Sequence, residues 1–258
     1  MNLTRRTGLK LATALLGTAL IPAFAMGQDS KMTAYTHPTE AGDVIVHPVQ
    51  HASMVWETPA GVIYIDPVGG AEAYADLPAP DMILITHEHG DHYDQPTLDA
   101  LAQVPLITNK AVFDMLPEDM QARATAMANG DTGTILDFDI EATPAYNITE
   151  DRLKYHPEGR DNGYILTIGD KRFLIAGDTE DTPELRAMKD IDVAFLPMNL
   201  PYTMTVEQAA DAVTEFAPKV VYPYHFNDSD VQQFAKLVAD GGAGTEVVIA
   251  DWYHTHAD

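Results

Sequence analysis

His87-Glu88-His89-Gly90-Asp91-His92 places three imidazoles and a carboxylate within six consecutive residues. The cluster follows the short apolar run 82–86, which is typical of a buried β-strand, so it begins where a strand ends. Two histidines separated by one residue in extended backbone project to the same side. The glycine then allows the chain to fold the last two side chains back toward them. We therefore predict a metal centre at this strand end.

Four further apolar runs also end in polar residues. The five runs lie at 63–65, 83–85, 173–176, 193–196 and 220–222, and their polar ends are Asp66, His87, Asp178, Asn199 and His225. Continuous apolar strands are buried on both faces and need covering helices. Because ligands in layered α/β proteins collect beyond the carboxyl ends of such strands, we expect the five ends to meet in one cleft.

The segment 86–92 resembles the HxHxDH signature of the metallo-β-lactamase superfamily. Downstream, Gly177-Asp178-Thr179 resembles the superfamily's GDT motif, and 220–225 resembles the strand that ends in its last metal histidine. The similarity covers roughly residues 43 to 250. The order and spacing of the motifs are most similar to the branch of zinc-dependent hydrolases related to ascorbate-6-phosphate lactonase.

This resemblance implies an α/β fold, a four-layer αββα sandwich of metallo-β-lactamase type. It also implies ligand roles: His87 and His89 for a first metal, Asp91, His92 and His225 for a second, and Asp178 as a bridge. The expected metal is zinc, as one or two ions, with manganese or iron as alternatives. Asp91 is the expected catalytic residue, which orients water or protonates the leaving group.

One superfamily ligand, a histidine between the first cluster and Asp178, is missing from its usual place. Tyr146 and Asn147 stand there instead, so the first metal site is expected to have one imidazole fewer. Asn147 could offer an amide oxygen, and His156 lies nine residues further on, before turn residues that could fold it back. We treat Asn147 and His156 as additional ligands or substrate contacts.

Three weaker signals surround these motifs. The sequence predicts a helix over 205–217, because Thr205 and Gln208 form a capping box ahead of one apolar stripe. The segment before it follows a buried strand, so Asn199 and Tyr202 are expected at a wall of the cleft. His51 resembles the family's early turn near the active site, where a structural role and a functional one are both open.

The composition limits the partners. The chain has 258 residues and a formal charge of −24, which opposes binding to nucleic acid or to an anionic membrane surface. It contains no cysteine, so thiolate ligands, catalytic thiols and disulfides are excluded. We expect a small-molecule substrate, and the sequence leaves the oligomeric state unknown.

The first 25 residues have the pattern of an export signal. Arg5 and Arg6 resemble a twin-arginine motif, and they precede an apolar run at 11–21 and the small-residue site 23–25. The apolar run is shorter than the roughly 20 residues of a membrane span. We therefore expect three parts: an export signal at 1–25, an N-terminal segment of the mature chain at 26–42, and a hydrolase domain at 43–258. The mature protein is expected in the periplasm, without stable membrane insertion.

These observations predict a metal-dependent hydrolase that uses metal-activated water on an ester, lactone or phosphoester bond. Two alternatives remain open from sequence. One is an iron- or manganese-dependent redox enzyme on the same fold, and the other is a non-catalytic, metal-dependent binding module.

Overall fold

The computed structural model describes residues 33–253. The predicted export signal at 1–25 and the tail histidines His254 and His256, expected to be exposed, lie outside the described residues. Within the described part, the first half of the chain forms one seven-stranded sheet and the second half forms another. No helix in the described range is long and apolar enough to cross a membrane.

The strands of the first sheet lie in sequence order. They are β1 (Tyr35–Thr39), β2 (Gly42–Gln50), β3 (Ser53–Thr58), β4 (Gly61–Ile65), β5 (Met82–Leu84), β6 (Leu106–Thr108) and β7 (Ala124–Ala126). β1 to β4 pair antiparallel, and β4 to β7 pair parallel. β1 lies before residue 43, the expected start of the domain, and pairs with β2 over five residues.

The second sheet repeats this plan. Its strands are β8 (Thr132–Ile135), β9 (Phe138–Ala145), β10 (Asp161–Ile168), β11 (Lys171–Ile175), β12 (Val193–Pro197), β13 (Val220–Tyr224) and β14 (Glu246–Val247). β8 to β11 pair antiparallel, and β11 to β14 pair parallel. The five strands predicted from apolar runs correspond to β4, β5, β11, β12 and β13, which confirms them.

Helices cover the outer faces. They are α1 (Gln95–Ala100), α2 (Lys110–Met115), α3 (Glu118–Gln121), α4 (Pro183–Ala187), α5 (Val206–Phe216) and α6 (Val231–Gly241), with a 3-10 turn at Ala71–Tyr74. The capping box predicted for α5 is present: Thr205 Oγ1 accepts from Gln208 N, and Gln208 Oε1 accepts from Thr205 N. α5 ends at Ala217, which adopts a left-handed conformation.

Neighbouring residues of a strand point to opposite faces of its sheet, so each sheet packs against the other sheet on one face and against helices on the other. In β3, Trp56 points to the core between the sheets and Val55 to the core under α1–α3. In β12, Phe195 points to the same central core and Ala194 to the core under α4–α6. The ring centroids of Trp56 and Phe195 lie 5.5 Å apart, so the two sheets pack face to face. The predicted αββα sandwich is confirmed.

Candidate metal centre

The predicted ligands converge from the ends of strands in both sheets. The loop after β5 carries the cluster 87–92, the loop from β9 to β10 carries His156, and Asp178 and His225 follow β11 and β13. Gly177 positions Asp178, because it has φ +66° and a Cβ there would lie 2.6 Å from the carbonyl oxygen of Asn162. Glycine is therefore required at this position.

Three imidazole nitrogens form the first group. His89 Nδ1 lies 3.1 Å from His87 Nε2 and 3.1 Å from His156 Nε2. Two imidazoles bound to one tetrahedral zinc, with Zn–N near 2.0–2.1 Å, place their nitrogens about 3.3 Å apart. The spacing of the first group therefore fits a shared metal ion.

His156, one of the two residues that the sequence offered as an additional ligand, stands in place of the missing imidazole in the first group. His156 is only 1% exposed and occupies that place, although it comes from the loop rather than from the usual position. Asn147 lies behind it: its Oδ1 accepts from His156 N at 3.0 Å and lies 2.9 Å from His156 Nδ1. Because Nδ1 faces this acceptor, it carries the hydrogen, and Nε2 is free to face the metal group. The side chain of Asn147 thus orients His156.

Glu180 holds the loop that carries His156. It is fully buried, and its Oε2 accepts from the backbone N–H groups of Ile148 and Thr149 at 2.9 and 2.8 Å. Its Oε1 is 2.8 Å from Arg152 Nε. These contacts give both carboxylate oxygens of the buried side chain a partner. Glu180 fixes the turn that brings His156 back to the cleft.

The second group is the predicted ligand set Asp91, His92 and His225, and Asp178 lies beside it. His92 Nδ1 lies 2.8 Å from Asp66 Oδ2, which leaves Nε2 directed at Asp178 Oδ1, 3.3 Å away. Neither His92 Nε2 nor Asp178 Oδ1 makes a hydrogen bond to any described residue, although both are buried. Buried polar atoms are normally paired, so this pair fits two atoms that share a ligand.

Asp66 does not face the cleft, contrary to the expectation for the five strand ends. It is fully buried and accepts from Thr86 N and Thr86 Oγ1, both at 2.7 Å. Because Thr86 Oγ1 donates to Asp66, it can only accept from His87 Nδ1, 3.0 Å away. Asp66 and Thr86 thus leave Nε2 of both His87 and His92 as the metal-facing nitrogen.

Asp178 lies between the two groups. Its Oδ2 is 3.4 Å from His156 Nε2 and 3.3 Å from His225 Nε2. His225 Nε2 is also 3.2 Å from Asp91 Oδ2. A carboxylate in this position can contact two cations at once, as the predicted bridging role requires.

The protonation states of the buried ligands suit a metal. Burial lowers the pKa of His87 well below its usual value and that of His156 to about 4. Burial acts to raise the pKa of Asp178, but His225 and His92 outweigh it and bring that pKa well below its usual value. Neutral imidazole and ionised carboxylate are the forms that bind metals.

His92 differs from the other imidazoles. Burial acts to lower its pKa, but Asp178 and Asp66 outweigh burial and raise that pKa well above its usual value. The two carboxylates therefore favour the protonated form of the ring. A metal bound at Nε2 would displace the proton there.

His51 lies against the second group, where sequence had left its role open. Its ring centroid is 3.8 Å from that of His225, and its Nε2 is 3.3 Å from Asp91 Oδ2. Tyr253 Oη accepts from the backbone N–H groups of Phe226 and Asn227, at 2.9 and 2.7 Å. With both lone pairs used, the Tyr253 hydroxyl donates to His51 Nδ1, 2.7 Å away. His51 Nε2 therefore carries the hydrogen and donates it to Asp91.

The cleft beside these groups has a volume of about 330 Å³. Tyr155, Asn199 and Tyr202 line it together with ligand residues, so the placement of Asn199 and Tyr202 agrees with prediction. The rings of Tyr155 and Tyr202 meet edge to face, with centroids 5.0 Å apart. Their hydroxyls and the amide offer neutral hydrogen-bonding groups to a substrate.

The sequence analysis did not identify the residues whose hydrogen bonds orient the ligand side chains or hold their loops. Thr86 and Glu180 have no motif of their own, and their roles depend on partners far along the chain. Glu88, inside the metal cluster, is held by Arg160 Nη1 at 3.0 Å, and Arg160 also pairs with Asp161. This bridge joins the first cluster to the loop that follows His156.

Comparisons with known proteins show the family of this chain. The family model described as the beta-lactamase superfamily domain matches residues 46–225. A UPF0173 metal-dependent hydrolase of Pyrococcus horikoshii is 32% identical over 202 residues, which are 72% of this chain and 88% of that protein.

The chain is also similar to solved structures. A crystal structure from Parabacteroides distasonis, described as a metal-dependent hydrolase, has 41% identity and a TM-score of 0.78, and the match covers 86% of this chain and 99% of that one. CmlA, a diiron β-hydroxylase from Streptomyces venezuelae, has 19% identity and a TM-score of 0.64 over 83% of this chain and 54% of its own, which shows the fold alone. The present chain belongs to the beta-lactamase superfamily domain family and is a metal-dependent hydrolase.

Proposed function

We propose that this protein is a zinc-dependent hydrolase that cleaves an ester, lactone or phosphoester bond of a small molecule. The observation that carries the proposal is the convergence of seven side chains on one cleft, with the nitrogens of the first group 3.1 Å apart. The seven are His87, His89, Asp91, His92, His156, Asp178 and His225. When bound, zinc would acidify water and polarise the scissile bond.

Two groups of ligands support two metal ions. The three imidazoles of the first group suit zinc, a borderline-soft cation that favours nitrogen ligands. Asp91, His92 and His225 would hold a second ion, and Asp178 would contact both. The Nδ1 atoms of His87, His92 and His156 face a hydroxyl, a carboxylate and an amide oxygen respectively, as in other metal sites.

Asp91 is the residue we assign to the attacking water. Its side chain is 48% exposed and lines the cleft. Burial acts to raise its pKa, but hydrogen bonds from His225 and His51 outweigh burial and bring the pKa well below the usual value. A carboxylate that stays ionised accepts hydrogen bonds, so Asp91 orients water rather than protonating the leaving group. Tyr155 and Tyr202 line the cleft beside it and would contact the substrate.

The test combines chemistry with metal analysis. Purified holoprotein is incubated with a panel of esters, lactones and phosphodiesters, and the metal content of the same sample is measured by elemental analysis. We expect one to two equivalents of zinc and turnover of at least one class. Bound iron together with oxygen consumption would support the redox alternative instead. Full metal content with no turnover on the whole panel would favour a binding module.

We also propose that the protein acts in the periplasm. The support is the twin-arginine pattern at Arg5 and Arg6 and the absence of cysteine from the chain, which avoids unwanted disulfides in an oxidising compartment.

A further inference from the structure

A second cavity adjoins the metal cleft. We call it the side groove; its volume is about 460 Å³, and it shares His51, Asp91 and Asn227 with the cleft. The two cavities therefore adjoin at these residues. A molecule whose reacting group lies at the metals can therefore extend into the side groove.

The groove has an apolar wall. Val49, Val68 and Tyr253 line it with fully buried Trp252 behind them, and Gln50 adds a neutral amide. Val49 and Val68 are each 7% exposed, so small apolar patches at their surface are open to the cavity. Covering such surface removes apolar area from water and stabilises the complex. The wall thus favours an apolar group over a hydrated one.

The side groove has no lysine or arginine among its described lining residues; Lys154 Nζ lies 5.0 Å from the ring centroid of Tyr155, at the cleft rather than in the groove. None of the described residues that line the cleft is lysine or arginine either. The arginines on the loop that carries His156 are already paired, Arg152 with Glu180 and Arg160 with Glu88 and Asp161. The chain as a whole carries a charge of −24, which repels anions. Bound metal ions would attract negative charge only at the reacting end.

We propose that the substrate has an uncharged, apolar arm that lies in the side groove while its reacting group lies at the metal centre. The proposal rests on the hydrolase function above and narrows its substrates to molecules without a phosphate or carboxylate on the remote arm. A phosphorylated lactone is therefore disfavoured, because no described lining side chain would bind the remote phosphate.

The test uses metal-binding probes, so it does not depend on turnover. Straight-chain alkyl hydroxamates of increasing length are titrated into the zinc-loaded holoprotein by isothermal calorimetry. We expect the affinity to rise about two- to fourfold per methylene until the groove is filled. A hydroxamate of equal length with a terminal carboxylate should bind on the order of tenfold more weakly.

Two variants test whether the alkyl chain of the probe lies in the side groove. Val68→Asp places a charge in the groove wall and should remove the dependence on chain length. Tyr202→Ala, at the cleft, should weaken all probes by a similar factor and leave that dependence intact. Circular dichroism and zinc content show whether each variant is folded, and the wild-type series stands by itself if Val68→Asp is not.

Three results would overturn the proposal: no gain with chain length, equal or tighter binding of the terminal carboxylate, or an unchanged length dependence in folded Val68→Asp. Failure of the hydrolase function is a separate result. It would appear as zinc-loaded protein that binds the probes with the expected length dependence but turns over no ester, lactone or phosphodiester.

Discussion

The orientation of His156 by Asn147 leads to a quantitative prediction. In Asn147→Ala, His156 loses the acceptor of its backbone N–H, at 3.0 Å, and the nearer acceptor of its Nδ1, at 2.9 Å. The carbonyl oxygen of Tyr202, 3.2 Å from Nδ1, remains. Loss of a partner behind a metal ligand typically lowers metal affinity about 10- to 100-fold, or about 1.4 to 2.8 kcal/mol. We expect this loss only at the metal ion that His156 would hold. The second ion would be held partly by His92, whose contacts the substitution leaves unchanged.

The loss of zinc affinity in Asn147→Ala should be smaller than the loss in His156→Ala and larger than the loss in Asn129→Ala. His156→Ala removes the ligand itself and should weaken binding of the same ion more strongly than Asn147→Ala. Asn129→Ala is the matched control, because Asn129 Nδ2 also donates to a backbone oxygen and an amide oxygen, at 2.8 and 2.7 Å, but contacts no histidine. It should leave zinc affinity unchanged.

The assay is competition for zinc between the protein and a chromophoric chelator, with circular dichroism and thermal melting of the metal-free proteins as controls for folding. Asn147 is only 1% exposed, so its loss also leaves buried groups unpaired and should lower the stability of the apoprotein by about 1–3 kcal/mol. Zinc affinity within twofold of wild type in folded Asn147→Ala would refute the orienting role. Two tight equivalents in His156→Ala would refute ligation by His156.

Four further predictions follow from the site and the N-terminal motif. His225→Ala should lose one zinc equivalent by elemental analysis while far-UV circular dichroism stays near wild type. Removal of zinc by a chelator should abolish hydrolysis and lower the melting temperature, because metal bound only to the folded state stabilises it. Tyr253→Phe removes the donor to His51 Nδ1 and should lower kcat several-fold without loss of zinc, since His51 then no longer holds a single tautomer toward Asp91. Replacement of Arg5 and Arg6 by lysine should retain the precursor in the cytoplasm, as measured by cell fractionation.

Each of these predictions can fail. Two full zinc equivalents in His225→Ala would remove His225 from the ligands, and full activity after verified zinc removal would contradict a catalytic metal. Loss of zinc in Tyr253→Phe would show that His51 acts on metal binding itself. Mature protein in the periplasm of the double-lysine variant would favour a general secretion route.

Local apolar patterns in the sequence were sufficient to predict the five central strands of the fold. The five apolar runs that became β4, β5, β11, β12 and β13 were readable because strands buried on both faces require continuous apolar sequence. The other nine strands of the described residues were not predicted, among them the antiparallel strands β1, β2 and β8. β8, Thr132–Ile135, is mostly exposed and pairs with β9 across a short connection, so its sequence carries little apolar signal.

Sequence alone determined which side chains are available to a metal: the cluster 87–92 with Asp178 and His225, each placed where an apolar strand ends. Only the tertiary structure decided that His156 completes the first group, 67 positions from His89, and that His51 faces Asp91. Strand ends follow from local apolar periodicity. The return of a loop depends instead on distant partners such as buried Glu180, which lies about 30 positions beyond the residues it holds.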